Sequence, residues 1–196
     1  MSKMNQGLSR ASQIARRELI LGGQKSGKSR RAEALAKTWC DHSSSHRAVL
    51  LATGQAWDDE MRERIARHRL DRAIRVPGME TLEEPLHLAQ LISTLSHPEC
   101  LLVVDCMTLW LTNWMMPVAS RPAQAAPVAE LLSVLKTGPG PVVLVGNEIG
   151  LGVIPLGREV RAFVDALGCL NQSLAECCSQ VTLMVAGLPL TLKDES

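Results

Sequence analysis

Eight consecutive residues near the start of the chain have the spacing of a phosphate-binding loop. Residues 22–29 read GGQKSGKS and fit the pattern G-x-x-x-x-G-K-[ST]. Glycines let the backbone curl until its N–H groups point at phosphate oxygens, and Lys28 is placed to reach the β- and γ-phosphates of a nucleotide. The Ser29 hydroxyl can ligate Mg²⁺. The predicted contact residues are Gly22, Gly23, Gln24, Lys25, Ser26, Gly27, Lys28 and Ser29.

The flanking sequence supports this interpretation over that of a glycine-rich turn that binds nothing. An apolar run at residues 18–21 predicts a strand before the loop, and alanines and leucines at helical spacing in residues 29–39 predict a helix after it. The positive end of that helix dipole would face the bound phosphates.

A carboxylate follows a second apolar run. Residues 101–104 read LLVV and end in Asp105. In a parallel sheet this places Asp105 beside the phosphate loop, where it can hold Mg²⁺ directly or through water. Because many strands end in Asp, the alternative is a cap for a helix that starts near Thr108.

One histidine lies on a helix rich in arginine. Residues 58–69 read DDEMRERIARHR, with acids first and bases last, as the helix dipole prefers. Met61, Ile65 and His68 share one face, which we expect to point inward. Two hypotheses stay open from the residues alone. His68 is either a histidine at the edge of the core, or a neutral imidazole that attacks phosphorus while the flanking arginines clamp phosphate.

The distribution of apolar residues predicts an α/β fold. Five runs are apolar nearly throughout, as is typical of parallel strands covered on both faces, and helical segments separate them. The runs are residues 18–21, 48–52, 100–104, 141–145 and 181–185. We predict a P-loop NTPase-like three-layer fold with a mostly parallel central sheet, in one domain over residues 18–196. Residues 1–17 are predicted to be a disordered extension.

Composition excludes several classes of protein. A net charge of +1 and only five aromatic residues, four Trp and one Phe, argue against a nucleic-acid binder. No apolar run approaches the ~20 residues of a membrane span. The N-terminal residues lack the apolar segment of a secretory signal, and the six cysteines lack metal-site spacing, so we expect a cytoplasmic protein.

Beyond these local patterns, the chain resembles the bifunctional adenosylcobinamide kinase/adenosylcobinamide-phosphate guanylyltransferase family of cobalamin biosynthesis. The resemblance covers residues 18–190 and rests on ordered blocks. The more specific ones are LLATGQAWDDEMRERIARHR, LLVVDCMTLWLTNW and VVLVGNEIGLGVIPLGREV. It implies that ATP or GTP phosphorylates the aminopropanol hydroxyl of adenosylcobinamide. GMP is then transferred from GTP, through a covalent guanylyl-histidine, to give adenosylcobinamide-GDP and pyrophosphate.

The resemblance also implies roles for residues. His68 would be the nucleophile, Lys28 a second catalytic residue, and Ser29 and Asp105 the Mg²⁺ ligands. The implied guanine-nucleotide contacts outside the phosphate loop are Thr53, Gly54, Gln55, Arg69, Leu70, Asp71, Arg72, Glu83 and Asp105. Residues 70–81 form a longer stretch than is usual in the family, so Glu80 and Glu84 compete with Glu83. Asn147 and Glu148 match a family block and are either substrate-organising or loop-capping residues.

Two further features bear on that resemblance. Gln24 and Lys25 stand where Ala-Arg is usual, which keeps the basic side chain. The family also implies a homo-oligomer, such as a trimer, that acts on small-molecule substrates.

Overall fold

The computed structural model describes residues 15–55, 59–116 and 122–195, apart from the side chains of Met61, Arg64, Ile65 and His68. The strands in this part of the chain are β1 (Arg17–Gly22), β2 (Arg47–Ala52), β3 (Glu80–Glu83), β4 (Cys100–Asp105), β5 (Val142–Val145), β6 (Gln180–Val185) and β7 (Leu188–Asp194). The helices are α1 (Lys28–His42), α2 (Asp59–Arg75), α3 (Leu88–Leu95), α4 (Met107–Met115), α5 (Val128–Thr137) and α6 (Arg158–Cys177).

The strands form one sheet in the order β3-β2-β4-β5-β1-β6-β7. Every neighbouring pair is parallel except β6 and β7, which are joined by a tight turn and run antiparallel. β1 therefore lies inside the sheet, between β5 and β6. This arrangement confirms the predicted α/β architecture with a mostly parallel central sheet.

Two apolar cores cover the two faces of the sheet. One core packs helices α3 to α6 on side chains such as Leu19, Leu102 and Leu144. The other packs α1 on the alternate side chains, including Ile20 and Val103. Because both faces are covered, the central strands are apolar throughout, which is the pattern that predicted them.

All five predicted strands are present, and two more were not predicted. β3 reads ETLE and is only partly buried, so it lacks an apolar run. β7 reads LPLTLKD and is an exposed edge strand. The α2 helix extends beyond residue 69 to Arg75. The strands β3 and β7 were not predicted because they lie at the two edges of the sheet and are not covered on both faces, so neither has a continuous apolar run.

The predicted boundary of the N-terminal extension is wrong at its last residues. Ala15 is buried, and Arg17 is the first residue of β1. Arg17 is buried because its guanidinium donates to the carbonyls of Leu135, Gly138 and Gly140, each at 2.6 Å. Residues 1–14 of the predicted extension lie outside the described residues.

The described cysteines are all free, and most are at least partly buried. Desolvation raises the pKa of Cys106 to about 11 and that of Cys178 to about 12. Both thiols therefore remain neutral at physiological pH and pack as small apolar groups, as the sequence predicts. None of the helices in the described ranges is long and apolar enough to cross a lipid bilayer.

Replacing Arg17 with Met should destabilise the fold. The substitution removes the side-chain donor of the Leu135 and Gly140 carbonyls and leaves the Gly138 carbonyl with Arg16 alone, which should lower the free energy of unfolding by about 3 kcal/mol. Arg16→Met is the matched control, because exposed Arg16 makes one side-chain bond, to the Gly138 carbonyl at 3.0 Å. Urea unfolding of both variants measures the difference, and equal losses would contradict the assignment.

Candidate nucleotide site

The carboxyl ends of five parallel strands meet at one edge of the sheet. Ala52 of β2 is in register with Asp105 of β4, which is in turn in register with Val145 of β5. Glu83, at the end of β3, is beside Ala52. The residues that follow these strands are therefore brought together around the phosphate loop, which follows β1. Open α/β sheets bind ligands at this edge.

The phosphate loop has backbone angles that glycine favours. Gly27 has φ 102° and Gly22 has φ 151°. Space is also short at Gly22, because a Cβ atom there would lie 2.5 Å from the Met184 carbonyl oxygen. The N–H of Gly187, in the turn between β6 and β7, donates to the Ser26 carbonyl at 3.0 Å. The β6–β7 turn thus helps to hold the loop in its curled form.

Lys28 is buried at the start of α1, where its ammonium lies within the loop. Its Nζ donates to the Gly23 carbonyl at 2.6 Å and is 3.5 Å from the Ser26 hydroxyl. Burial lowers the pKa of Lys28, while the charges of Cys106 and Asp105 act in the opposite direction. Lys28 is therefore a partly desolvated cation within the loop, and its predicted reach to the β- and γ-phosphates stays a prediction.

Asp105 and Thr53 are tied together by a network of buried hydrogen bonds. The Thr53 N–H donates to the Asp105 carbonyl at 3.2 Å. The Thr53 hydroxyl donates to the Cys106 carbonyl at 2.7 Å and accepts from the Cys106 N–H at 2.9 Å. Asn113 donates to the Thr53 carbonyl at 2.8 Å. All polar groups of Thr53 are thus engaged within the protein, and its predicted contact with nucleotide stays a prediction.

The oxygens of Ser29 and Asp105 suit a magnesium ion. Both side chains are half-buried and follow strands that end at the same edge. Mg²⁺ prefers oxygen ligands and completes its shell with phosphate oxygens and water, so one carboxylate and one hydroxyl suffice. Within the described ranges, no group of three or more His, Cys, Asp or Glu side chains could hold a metal ion.

Arg72 is the most unusual charged residue of the site. It is 8% exposed, and its buried Nε and Nη1 atoms have no hydrogen-bond partner among the described residues. Burial lowers the pKa of Arg72, while the charges of Glu33 and Asp105 raise it. Buried N–H groups without an acceptor are costly, and a guanidinium binds phosphate oxygens well. The unbonded N–H groups of the Arg72 guanidinium, near Asp105, therefore favour an anion as their hydrogen-bond partner.

The helix that carries His68 is held against the rest of the site by ion pairs at its two sides. Arg75 of α2 donates to Glu33 of α1 at 2.5 Å, and Arg69 of α2 contacts Glu83 of β3. Position 68 precedes Arg72 by one helical turn and shares its face of α2. The side chains of His68 and its predicted stripe partners Met61 and Ile65 lie outside the described residues.

The three competing glutamates lie in different surroundings. Glu83 ends β3 at the edge where the strands converge, whereas Glu80 begins β3, about 10 Å further back at the strand rise per residue. The Glu84 carboxylate accepts from the N–H groups of Leu86 and His87 at 2.9 and 2.7 Å, just before α3. Glu84 is therefore engaged within the turn before α3, and the geometry favours Glu83 over Glu80.

A second network supports the segment that follows β5. The Asn147 N–H donates to the Thr108 hydroxyl at 2.8 Å. Asn171 of α6 donates to the Asn147 carbonyl at 3.2 Å and to the Glu148 carboxylate at 3.4 Å. Glu148 in turn accepts from the Gly150 N–H at 2.7 Å. These bonds support the loop-capping role of Glu148, whereas Asn147 bonds through its backbone alone in this network and the role of its side chain stays a prediction.

Sequence reasoning missed three supporting residues, Thr108, Asn113 and Asn171. All three are buried, although they are polar. The available signal was the presence of Asn171 on the apolar stripe of α6, because a buried amide needs partners. Of the remaining predicted contacts, Asp71 pairs with Arg75 on the same helix, Gly54 and Gln55 are half-buried, and Leu70 is exposed. Their contacts with nucleotide stay predictions.

Fold and site together define a P-loop nucleotide-binding architecture. The chain is similar in structure to a flagellar accessory protein, FlaH, from Methanocaldococcus jannaschii, with a TM-score of 0.54, 13% identity and coverage of 98% of this chain and 86% of that one. A Pyrococcus horikoshii OT3 protein gives a TM-score of 0.52 at 10% identity, with 98% and 94% coverage. At such low identity these likenesses support the fold alone.

Sequence comparison identifies the family. Residues 18–192 match the model of the cobinamide kinase / cobinamide phosphate guanyltransferase family. The bifunctional adenosylcobalamin biosynthesis protein CobP of Pseudomonas aeruginosa is 47% identical over 180 residues, which cover 91% of this chain and 98% of that protein. The corresponding CobU of Escherichia coli is 34% identical, with 89% and 98% coverage.

The chain therefore belongs to the cobinamide kinase / cobinamide phosphate guanyltransferase family. Its activities are those of that family, a kinase and a guanylyltransferase. The family predicted from the sequence blocks is confirmed.

Replacing Arg72 with Met should weaken nucleotide binding without lowering the stability of the nucleotide-free protein. Without nucleotide, we expect the free energy of unfolding to stay equal or rise by up to about 1 kcal/mol, because a desolvated cation with unbonded N–H groups is removed. With GTP, we expect the ligand-induced rise in Tm to be lost. Thermal unfolding with and without Mg²⁺-GTP measures both effects.

Arg75→Met is the matched control on the same helix. It removes the partner of the buried Glu33 carboxylate, so it should lower the stability of the nucleotide-free protein and preserve the GTP-induced rise in Tm. A normal GTP effect in the Arg72 variant would contradict the role given to that guanidinium.

Proposed function

We propose that this chain carries out both transfers at the one nucleotide site described above. In the first, the hydroxyl oxygen of adenosylcobinamide attacks the γ-phosphorus of ATP or GTP, its proton is lost, and the nucleoside diphosphate leaves. In the second, His68 attacks the α-phosphorus of GTP and pyrophosphate leaves. A phosphate oxygen of the adenosylcobinamide phosphate then displaces His68 and takes the GMP. The observation that carries the proposal is buried Arg72, one turn after position 68 and near Glu33 and Asp105.

The phosphate loop and Lys28 act in both reactions. Loop N–H groups would hold the β- and γ-phosphates, and Lys28 would leave the Gly23 carbonyl to neutralise charge that builds on the leaving oxygens. Because Lys28 is already desolvated, its interaction with phosphate is stronger than it would be in water. Ser29 and Asp105 would hold Mg²⁺, which supplies charge neutralisation on the phosphate oxygens.

The arginines around position 68 suit it for nucleophilic attack. Arg67 and Arg69 flank it in sequence and Arg72 follows one turn later. Their positive charge disfavours protonation of an imidazole, which keeps its nitrogen lone pair free for attack. Guanidinium groups also bind the phosphate oxygens that bear the growing charge.

A single phosphate loop does not easily present two different phosphorus atoms to one acceptor. We propose that α2 moves to bring His68 to the α-phosphorus when GTP is bound. The Arg69–Glu83 pair permits this, because it is more than half exposed on both sides and exposed ion pairs contribute about 1 kcal/mol or less. The Arg75–Glu33 pair is costlier to break because the Glu33 side chain is only 7% exposed, so nucleotide binding must offset its loss.

The proposal also includes the domain organisation, the localisation and the oligomeric state of the protein. We propose one catalytic domain over residues 18–196, cytoplasmic, assembled as a homo-oligomer such as a trimer, and without a nucleic-acid partner. The matched family model over residues 18–192 and the near-zero net charge support these points.

Labelling with α-phosphate-labelled GTP and Mg²⁺ tests the covalent step. We expect wild-type protein to retain label that survives alkali and is released by acid, as a phosphoramidate does. His68→Ala should retain none and should still phosphorylate adenosylcobinamide. Lys28→Met should lower both activities by about 10²-fold or more, because it removes charge stabilisation common to both transition states.

The rival interpretation is a kinase of one function with a structural histidine. It predicts no label on wild-type protein that still binds GTP. Label on His68→Ala would instead show that another residue is the nucleophile.

Structures with bound nucleotide test the movement of α2. We expect wild-type protein and His68→Ala trapped with a non-hydrolysable GTP analogue to show α2 displaced from Glu33 and Glu83, because the helix must approach the phosphate loop. An α2 that occupies the same position with and without the analogue in both proteins would refute the movement.

A further inference from the structure

The loop between β5 and α6 displays apolar side chains to solvent. Within residues 149–157, termed here the 149–157 loop, Val153 is 96% exposed, Leu156 97%, Leu151 82% and Ile154 77%. Val153 and Leu156 are the most exposed large apolar side chains of the described residues. Contiguous exposed apolar side chains mark binding surfaces more often than single ones do.

The backbone of this loop is held at both ends. At its start, Glu148 accepts from the Gly150 N–H and is itself bound by Asn171. At its end, the guanidinium of Arg161 donates to the carbonyls of Pro155 and Leu156. The apolar side chains are therefore presented on an anchored backbone, which lowers the entropy lost when a ligand binds.

The loop begins directly beside the phosphate loop. The N–H of Glu148 donates to the Gly22 carbonyl at 3.1 Å, and that of Gly146 donates to the Ile20 carbonyl at 2.9 Å. The loop leads into α6, which packs on the opposite face of the sheet from α1. It therefore begins beside the phosphate loop, on the side away from α2, which carries His68.

We propose that the 149–157 loop binds the apolar rim of the corrin ring of the acceptor and so directs its hydroxyl arm to the phosphate loop. This rests on the function proposed above. The acceptor must approach the γ-phosphorus at this sheet edge, and a corrin macrocycle carries methyl groups around its periphery. The α2 helix is mainly charged, with Leu70 and Ile74 as separate exposed apolar side chains, while the 149–157 loop offers four strongly exposed apolar side chains within six residues.

Equilibrium dialysis with dicyanocobinamide, followed by its visible absorbance, tests the proposal. The double variant Val153→Ser/Leu156→Ser removes two apolar contacts at fully exposed positions, so the fold should be unaffected. We expect its Kd for dicyanocobinamide to rise about tenfold or more, since each lost apolar contact weakens binding. Labelling of His68 by GTP should be unchanged.

Leu192→Ser is the matched control. Leu192 is 56% exposed on β7, near the amino end of β6 and so away from the edge where the parallel strands end. Its variant should bind dicyanocobinamide as wild type does. Equal Kd values for wild type and the double variant would overturn the inference. So would a smaller molecular mass of the double variant in light scattering with unchanged Kd, because a second copy of the chain would then cover the loop.

The two proposals fail in different ways. Wild-type protein that neither acquires label from GTP nor binds dicyanocobinamide would overturn the proposed function and this inference together. Wild-type protein that does both, beside a double variant that binds equally well, would overturn this inference alone.

Discussion

The close approach of β1 and β6 at Gly22 is the constraint on which the nucleotide site depends. A Cβ atom on Gly22 would lie 2.5 Å from the Met184 carbonyl oxygen and 2.6 Å from the Ser26 hydroxyl. A side chain there would force β6 away from β1, and the Gly187 bond to Ser26 would be lost with it. Because the register of the sheet fixes the other strand ends relative to β1, the positions of Asp105 and Glu83 follow from the same contact.

The sequence predicted those structural features that a few consecutive residues determine. The phosphate loop, the strand that ends in Asp105 and the five buried strands were all predicted correctly, since each is defined by a few consecutive residues. The burial of Arg72 was not predicted, because it depends on how α2 packs near Glu33 and Asp105, far away in the chain. The bonds of Glu84 within the turn before α3 were missed for a related reason: nothing in LEEPL distinguishes a carboxylate that stabilises a turn from one that binds a ligand. The role of His68 came from the family resemblance alone.

The two sides of the phosphate loop differ in chemistry. On the α2 side, arginines predominate, and Arg72 is buried with unsatisfied N–H groups. On the α6 side, an anchored loop exposes apolar side chains. Charge and apolar surface bind different parts of a substrate, so a site with one of each can hold a polyphosphate and a bulky organic acceptor at once. The polar network of Thr108, Asn147 and Asn171 fixes the boundary between the two sides.

The interior position of β1 in the sheet also affects how the protein folds while it is synthesised on the ribosome. Glu18 pairs with Val143 on one side and with Gln180 on the other, so the first strand made has both partners far later in the chain. At about 5–20 residues per second, its apolar residues wait unpaired for several seconds during synthesis. The phosphate loop can take its final form only after β6 and Gly187 have emerged. A chain that stops short of β6 therefore never acquires a nucleotide site, and an incomplete product stays inactive.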